Sequence, residues 1–225
     1  MSPDPSKKTK LRVFLVDDHP LVRKGIADCI ADEPGMAVCG QAGTVAETLE
    51  GVARAKPDLV LVDIAIPGGD GIELTKELKT RHPSVQVLIL SMYDESLYAQ
   101  RALRAGAGGY LMKSAPAYAL IRAIRDVCAG RIVVSPQMRE QLIGFAVGSM
   151  KNRSPLQQLS DREAQVLRLY GEGCTRGQIA TQLHLSIKTI ETHRGNICRK
   201  LGLKNSTELL RYAIEFVRSE SQGKT

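Results

Sequence analysis

The sequence predicts an α/β fold, a doubly wound parallel sheet of five strands, followed by a small all-α domain. Three observations carry that prediction. From residue 11 to about 130, short unbroken apolar runs alternate with amphipathic stretches of helical period, the pattern of strands buried on both faces beneath helices. Beyond about residue 155 the pattern is helical throughout. At 225 residues the chain is long enough for two ordinary domains.

The apolar runs at Leu11–Val16, 36–39, Leu59–Val62, 85–90 and Gly109–Met112 are the expected strands. Leu21, Ile26 and Ile30 mark the buried face of the helix after the first. Ile72, Leu74 and Leu78 mark a second helix, and Leu120, Ile121, Ile124 and Val127 a third. Turns fall at Pro34-Gly35, Pro57 and Pro67-Gly68-Gly69. Residues 131–154, with Ser135-Pro136, Gly144 and Gly148, read as a linker holding a short helix around 137–147. Ser160-Asp161-Arg162-Glu163 is a capping box opening a helix to about Gly171. Asn205-Ser206-Thr207-Glu208 repeats the device before a helix at 209–217. Residues 1–8 read as a tail and not as a signal peptide, because no apolar core follows their charge.

Composition narrows the function. No apolar run reaches the roughly 20 residues of a membrane span, so a cytoplasmic protein without membrane attachment is expected. Five cysteines at irregular spacing, with no C-x-x-C pair, read as free thiols and not as a metal site. From residue 151 onward there are thirteen Lys and Arg against seven Asp and Glu, and before it eighteen against seventeen. The basic C-terminal third points to a polyanionic partner.

Four of the apolar runs end in groups suited to a phosphoryl anion and its metal: Asp17 and Asp18, then Asp63, then Ser91, then Lys113. Ligands bind outside the carboxyl ends of strands in open α/β sheets. A strand order of 2-1-3-4-5 brings the acidic pair beside Asp63. Three carboxylates together raise one another's pKa unless a cation neutralises them, and Mg²⁺ is the expected one. Ser91 can donate to a phosphoryl oxygen, and Lys113 can pair with another. Tyr110, at the alternate position on the fifth run, has a ring free to turn in or out as Ser91 moves.

In the C-terminal third, residues 175–194 read as helix, tight turn, helix, with Ser186 as N-cap of the second. Ile187, Ile190, Ile197 and Leu201 are its expected buried stripe. Lys188, Thr192, Gly195, Asn196 and Arg199 form the opposite face, small, polar and basic like a helix entering a major groove. Arg194 lies near the apolar stripe, positioned to snorkel outward or to bridge to the next helix.

Residues 11–130 resemble the receiver domain of two-component response regulators, a flavodoxin-like fold. The resemblance implies Asp63 as phospho-acceptor, Asp18 as direct metal ligand, Asp17 acting largely through water, and Ala65 lending its backbone carbonyl. It implies Ser91 and Tyr110 as a switch pair and Lys113 as the phosphate-pairing lysine, with Pro116 following. Ile66 departs from the Met usual before Pro67, a change of packing and not of chemistry. Residues 155–220 resemble the LuxR-type helix-turn-helix domain, through Leu159-Ser160-Asp161-Arg162-Glu163, Thr189-Ile190-Glu191-Thr192-His193 and Lys200-Leu201. The DNA-contacting set it implies is Lys188, Thr189, Glu191, Thr192, Arg194, Gly195, Asn196, Arg199 and Lys200, with 209–217 as a dimer surface.

Together the two regions are similar to the NarL/FixJ family. That implies a regulator and not an enzyme, phosphorylated by a partner histidine kinase, binding double-stranded DNA and forming a homodimer. A phosphatase of the haloacid-dehalogenase type would need a second aspartate where Ala65 stands. A regulator acting by protein contact alone is separable by salt-dependent DNA binding.

Overall fold

The computed structural model describes residues 10–146, 155–183 and 185–222. The expected tail and the linker residues 147–154 lie outside the described residues. The chain divides into two units, Met1–Met138 and Arg139–Thr225.

The first unit runs β1 (Leu11–Val16), α1 (Pro20–Ala31), β2 (Met36–Ala42), α2 (Val45–Ala55), β3 (Leu59–Val62), β4 (Ala65–Ile66), β5 (Gly69–Asp70), α3 (Gly71–Arg81), β6 (Gln86–Ser91), α4 (Glu95–Arg104), β7 (Gly109–Met112) and α5 (Ala117–Cys128). Five strands form one parallel sheet in the order β2-β1-β3-β6-β7. That is the expected 2-1-3-4-5 order, with the small antiparallel ribbon β4–β5 interposed in sequence.

Alternate residues explain why the runs are apolar throughout. Val13, Leu15, Leu59, Leu61, Leu88 and Leu90 pack with Ile30 of α1 and with Leu120, Ile121, Ile124 and Val127 of α5. Their sequence neighbours Phe14, Val16, Val60, Val62, Val87 and Ile89 are buried as well. Each such side chain contributes about 1.5–3 kcal/mol on burial, which is what holds helices on both faces. The helix faces expected from Ile72, Leu74 and Leu78 are buried too.

Leu21 is the exception, at 85% exposure. It follows the N-terminal proline of α1, in the first turn of the helix. The start of the expected linker is not free chain. Val133 bridges to Gly109, accepting from the Tyr110 N–H (2.8 Å) and donating to the Gly108 carbonyl (3.0 Å). Helix α6 (Pro136–Ala146) follows and matches the expected short helix as far as residue 146.

The second unit holds a single 3₁₀ turn (Pro155–Gln158), α7 (Asp161–Gly171), α8 (Arg176–Gln182), α9 (Ile187–Leu201) and α10 (Ser206–Gln222) among its described residues. The Ser160 capping box forms as expected: Ser160 N–H donates to Glu163 Oε2 (2.7 Å), and Glu163 N–H to Ser160 Oγ (3.3 Å). A second box, Thr175 with Gln178, opens α8. At Asn205 the expected reciprocity is displaced by one residue. Glu208 N–H donates to Asn205 Oδ1 (2.9 Å), but the Glu208 carboxylate takes the Lys204 N–H (2.7 Å). Helix α7 packs on α9 and α10, burying Val166, Leu167, Ile190, Ile197, Leu209 and Ala213. A Cβ on Gly171 would lie 2.2 Å from the Ala213 carbonyl oxygen, so glycine sets how closely α7 and α10 approach. Among the described residues no helix is long and apolar enough to cross a membrane.

Candidate functional sites

The backbone ladder places the strand-end groups. Asp17 N–H donates to the Ala42 carbonyl (3.2 Å), Asp63 N–H to Val16 (2.9 Å) and Lys113 N–H to Ser91 (2.8 Å). Each group is therefore the first residue past its strand, one step beyond the core. Gly71 permits the arrangement behind Asp63, since a Cβ there would sit 2.1 Å from the Asp63 carbonyl oxygen.

Lys113 joins the carboxylates. Its Nζ lies 2.5 Å from Asp17 Oδ2 and 2.6 Å from Asp63 Oδ2, and all three side chains are nearly buried. Asp18, a third exposed, meets His19 Nδ1 at 2.6 Å. His19 also donates its backbone N–H to Asp17 Oδ1 (2.8 Å). Ligand atoms of Asp17, Asp18, His19 and Asp63 all lie within 4.8 Å of one another.

Three carboxylates face one ammonium, leaving a formal charge of −2. Burial pushes the Asp63 carboxyl above its usual range, with Lys113 pulling against it and Asp17 adding to the rise. Burial works against the Lys113 ammonium, but the Asp63 and Asp17 carboxylates more than offset this and hold its proton more tightly than usual. The Asp63 rise is chiefly the cost of burying its charge, and the Lys113 rise reflects the two carboxylates around it. An oxygen-rich set with a charge deficit of two suits a hard divalent cation.

Ser91 and Tyr110 are both buried. Ser91 Oγ accepts the Tyr93 N–H (3.2 Å), and the Tyr110 hydroxyl donates to the Tyr93 carbonyl (2.7 Å). The Tyr110 ring therefore lies inward, and the two side chains hold opposite sides of one residue in the β6–α4 loop. Ala65 is exposed in β4, its N–H reaching Asp63 Oδ1 at 3.4 Å.

The second site is α9. Ser186 Oγ accepts the Thr189 N–H (3.1 Å), as expected of an N-cap. Lys188, Thr192, Gly195 and Arg199 are exposed on one side, with Asn196 half-buried beside them. Its Oδ1 accepts from Arg199 (2.9 Å). A Cβ on Gly195 would meet nothing within 4 Å.

The remaining members of the expected DNA set are tied within the unit. Thr189 Oγ1 lies 2.8 Å from Ser186 Oγ. Glu191 is held by Arg176 of α8 (2.7 Å) and by Arg194 (2.8 Å), and Arg194 also donates to Ser206 Oγ at the start of α10 (2.9 Å). The Arg176 hydrogen bond, with Arg194 nearby, holds the Glu191 carboxyl below its usual range. Lys200 reaches across to buried Glu163 (2.6 Å). Of the expected apolar stripe, Ile190 and Ile197 are fully buried, but Ile187 is 55% exposed. Like Leu21, it sits in a first helical turn.

A doubly wound sheet with an acidic crevice at its strand ends, followed by a capped helix-turn-helix, defines a receiver joined to a DNA-binding module. The family described as the response regulator receiver domain matches residues 13–125. The luxR family of bacterial regulatory proteins matches residues 157–213. The chain is 37% identical over 213 residues to the DNA-binding transcriptional activator DevR/DosR of Mycobacterium tuberculosis, covering 95% of this chain and 98% of that one. It is 40% identical over 205 residues to the response regulator GacA of Pseudomonas viridiflava, covering 91% and 95%. RcsB of Salmonella typhimurium superposes with a TM-score of 0.72 at 26% identity, covering 92% of this chain and 98% of that one. RcsB of Salmonella enterica serovar Typhimurium has also been solved bound to promoter rprA in the presence of phosphomimetic BeF3⁻, with a TM-score of 0.68, 26% identity and 91% and 98% coverage. The chain belongs to the NarL/FixJ family of DNA-binding transcriptional response regulators.

Proposed function

We propose that Asp63 is the phospho-acceptor of this response regulator and that α9 reads promoter DNA under its control. The carrying observation is the Lys113 ammonium lying between the buried Asp17 and Asp63 carboxylates. The Asp63 carboxylate attacks phosphorus, the bond to the leaving imidazole of a partner histidine kinase breaks, and Lys113 turns from the carboxylate to a phosphoryl oxygen. Ser91 donates to a second oxygen. Asp17, Asp18, Asp63 and the Ala65 carbonyl would hold Mg²⁺, which when bound supplies charge neutralisation for the transferring group.

On the DNA side, Lys188 and Thr192 are assigned to base edges and Arg199 to phosphates, with Asn196 between them. Glu191, Arg194 and Lys200 fix the helix to its neighbours, and Thr189 secures its own N-cap. Residues 11–130 and 155–220 are assigned as the two domains and 131–154 as their connection. A homodimer working on DNA in the cytoplasm completes the reading.

The test is mass spectrometry after incubation with acetyl phosphate and Mg²⁺. The wild type gains one phosphoryl group, and Asp63→Asn, which keeps size but loses the nucleophile, gains none. An undiminished adduct in the variant overturns the assignment.

A further inference from the structure

A capping box needs two partners for the N-cap residue, a side-chain oxygen for the third helical N–H and a Glu or Gln at that third position to take the N-cap's own N–H. Helix α6 has only the first of these in its own sequence. Ser135 Oγ accepts the Met138 N–H (3.1 Å), Pro136 occupies the first helical position, and the third position is a buried methionine. The Ser135 N–H is taken instead by Glu95 Oε1 (2.7 Å), forty residues earlier in the chain. Glu95 is the first residue of α4.

We infer that Glu95 completes the α6 capping box from α4 and is the positioning residue through which the phosphorylated crevice acts on the helix leading toward the DNA-binding module. This rests on the proposed roles of Asp63 and Ser91. The path is short. Ser91 Oγ holds the Tyr93 N–H, Tyr110 holds the Tyr93 carbonyl, Asp94 caps α4 through the Ser96 N–H (2.8 Å), and Glu95 follows. A phosphoryl oxygen that recruits the Ser91 hydroxyl as a donor turns its Oγ away from the Tyr93 N–H, and the loop that begins α4 shifts. Glu95 moves with α4, whereas the segment before Ser135 stays on the sheet edge through Val133. The cap is the contact between the moving and the stationary parts. A carboxylate at a helix N-terminus also meets the positive end of the helix dipole. The two states of α4 thus differ in their interaction with α6, which is what a shift of its population requires.

The experiment uses the full chain with Glu95→Ala and Glu95→Gln, single-amide hydrogen exchange by NMR, and intact mass to count the Asp63 adduct. Without phosphodonor, Glu95→Ala speeds exchange at Ser135 and Met138 about fivefold, the effect of a lost cap. Glu95→Gln, which keeps the acceptor oxygen, stays within about twofold of the wild type. With acetyl phosphate and Mg²⁺, wild-type α6 amides change exchange at least about twofold, and Glu95→Ala abolishes that change while its adduct mass is unaltered. Unchanged exchange at Ser135 and Met138 in Glu95→Ala overturns the proposal, as does a fully phosphorylated wild type whose α6 exchange does not move. If the wild type takes no adduct at all, the acceptor assignment fails instead, and the donor-free comparison still decides the cap.

Discussion

Lys200 separates two accounts of the late part of α9. Its place near the end of a DNA-binding helix suggests a phosphate contact, whereas its ammonium lies 2.6 Å from Glu163. Glu163 is only 4% exposed and is already committed to the α7 capping box. Lys200→Ala leaves that carboxylate without its counterion. Breaking a fully buried pair from one side costs about 3–5 kcal/mol. Lys200 is 31% exposed, so water can replace part of what is lost, and about 2 kcal/mol is expected. For a unit of this size that is roughly 10 °C in Tm.

The pH dependence gives a second readout. Burial raises the Glu163 carboxyl, but the hydrogen bonds from Lys200 and Ser160 outweigh it, so its folded pKa falls below the ordinary 4.5. A depressed carboxylate stabilises fully above the unfolded value, and that stability is lost as pH falls through the lower folded value. Wild-type stability therefore declines below about 4.5, and Lys200→Ala flattens the decline by removing the largest lowering contribution. Calorimetry of the C-terminal transition between pH 3 and 7 measures both. A Tm change under about 2 °C, together with a DNA salt slope reduced by about one, would mean that Lys200 faces phosphate and that the brace is unimportant.

The acidic crevice, α7 and the outer face of α9 each carry a further expectation. Asp18→Ala removes a partly exposed carboxylate, so Mg²⁺ affinity by isothermal titration should fall at least about tenfold while Tm stays unchanged; retained affinity would place the cation elsewhere. Gly171→Ala drives a Cβ to 2.2 Å from the Ala213 carbonyl and 2.6 Å from Val217. Backbone cannot yield there as a flexible side chain can, and a loss of about 3 kcal/mol is expected; denaturation at the wild-type midpoint would contradict the packing described. Lys188→Ala should relax preference at one or two base pairs by about 1–3 kcal/mol, whereas Arg199→Ala should weaken all sequences alike and lower the salt slope by about one. Equal effects of the two on every sequence, in a binding series across salt and operator variants, would remove Lys188 from the reading face.

Much of this is legible in the sequence. Apolar runs such as Leu59–Val62, too short for helices and alternating with amphipathic helical stretches, read as strands covered on both sides, and a run's end locates its crevice residue because the ladder continues one step, as it does for Asp63 and Lys113. The Ser160 and Ser186 caps are short-range hydrogen bonds written in adjacent residues. The Thr175–Gln178 box is equally local, a third pair of short-range hydrogen bonds carried by adjacent residues. The β4–β5 ribbon was not visible because two-residue strands carry no period. Leu21 and Ile187 fit their helical periods, but a period does not say where the neighbouring layer stops.

The sequence by itself determined the five strands of the parallel sheet, several of the helices packed on it, the Ser160 and Ser186 caps and the chemical groups at the strand ends, because these depend on periodicity and on hydrogen bonds between near neighbours. The tertiary structure alone decided which groups meet. Lys113 lies between Asp17 and Asp63, Glu191 between Arg176 and Arg194, Lys200 on Glu163, and Glu95 on the N-cap of α6. Local propensity is blind to such pairs, since each joins elements brought together only when the apolar faces have packed. Their energy comes from desolvated charges and orphan backbone groups meeting at distances that the fold sets.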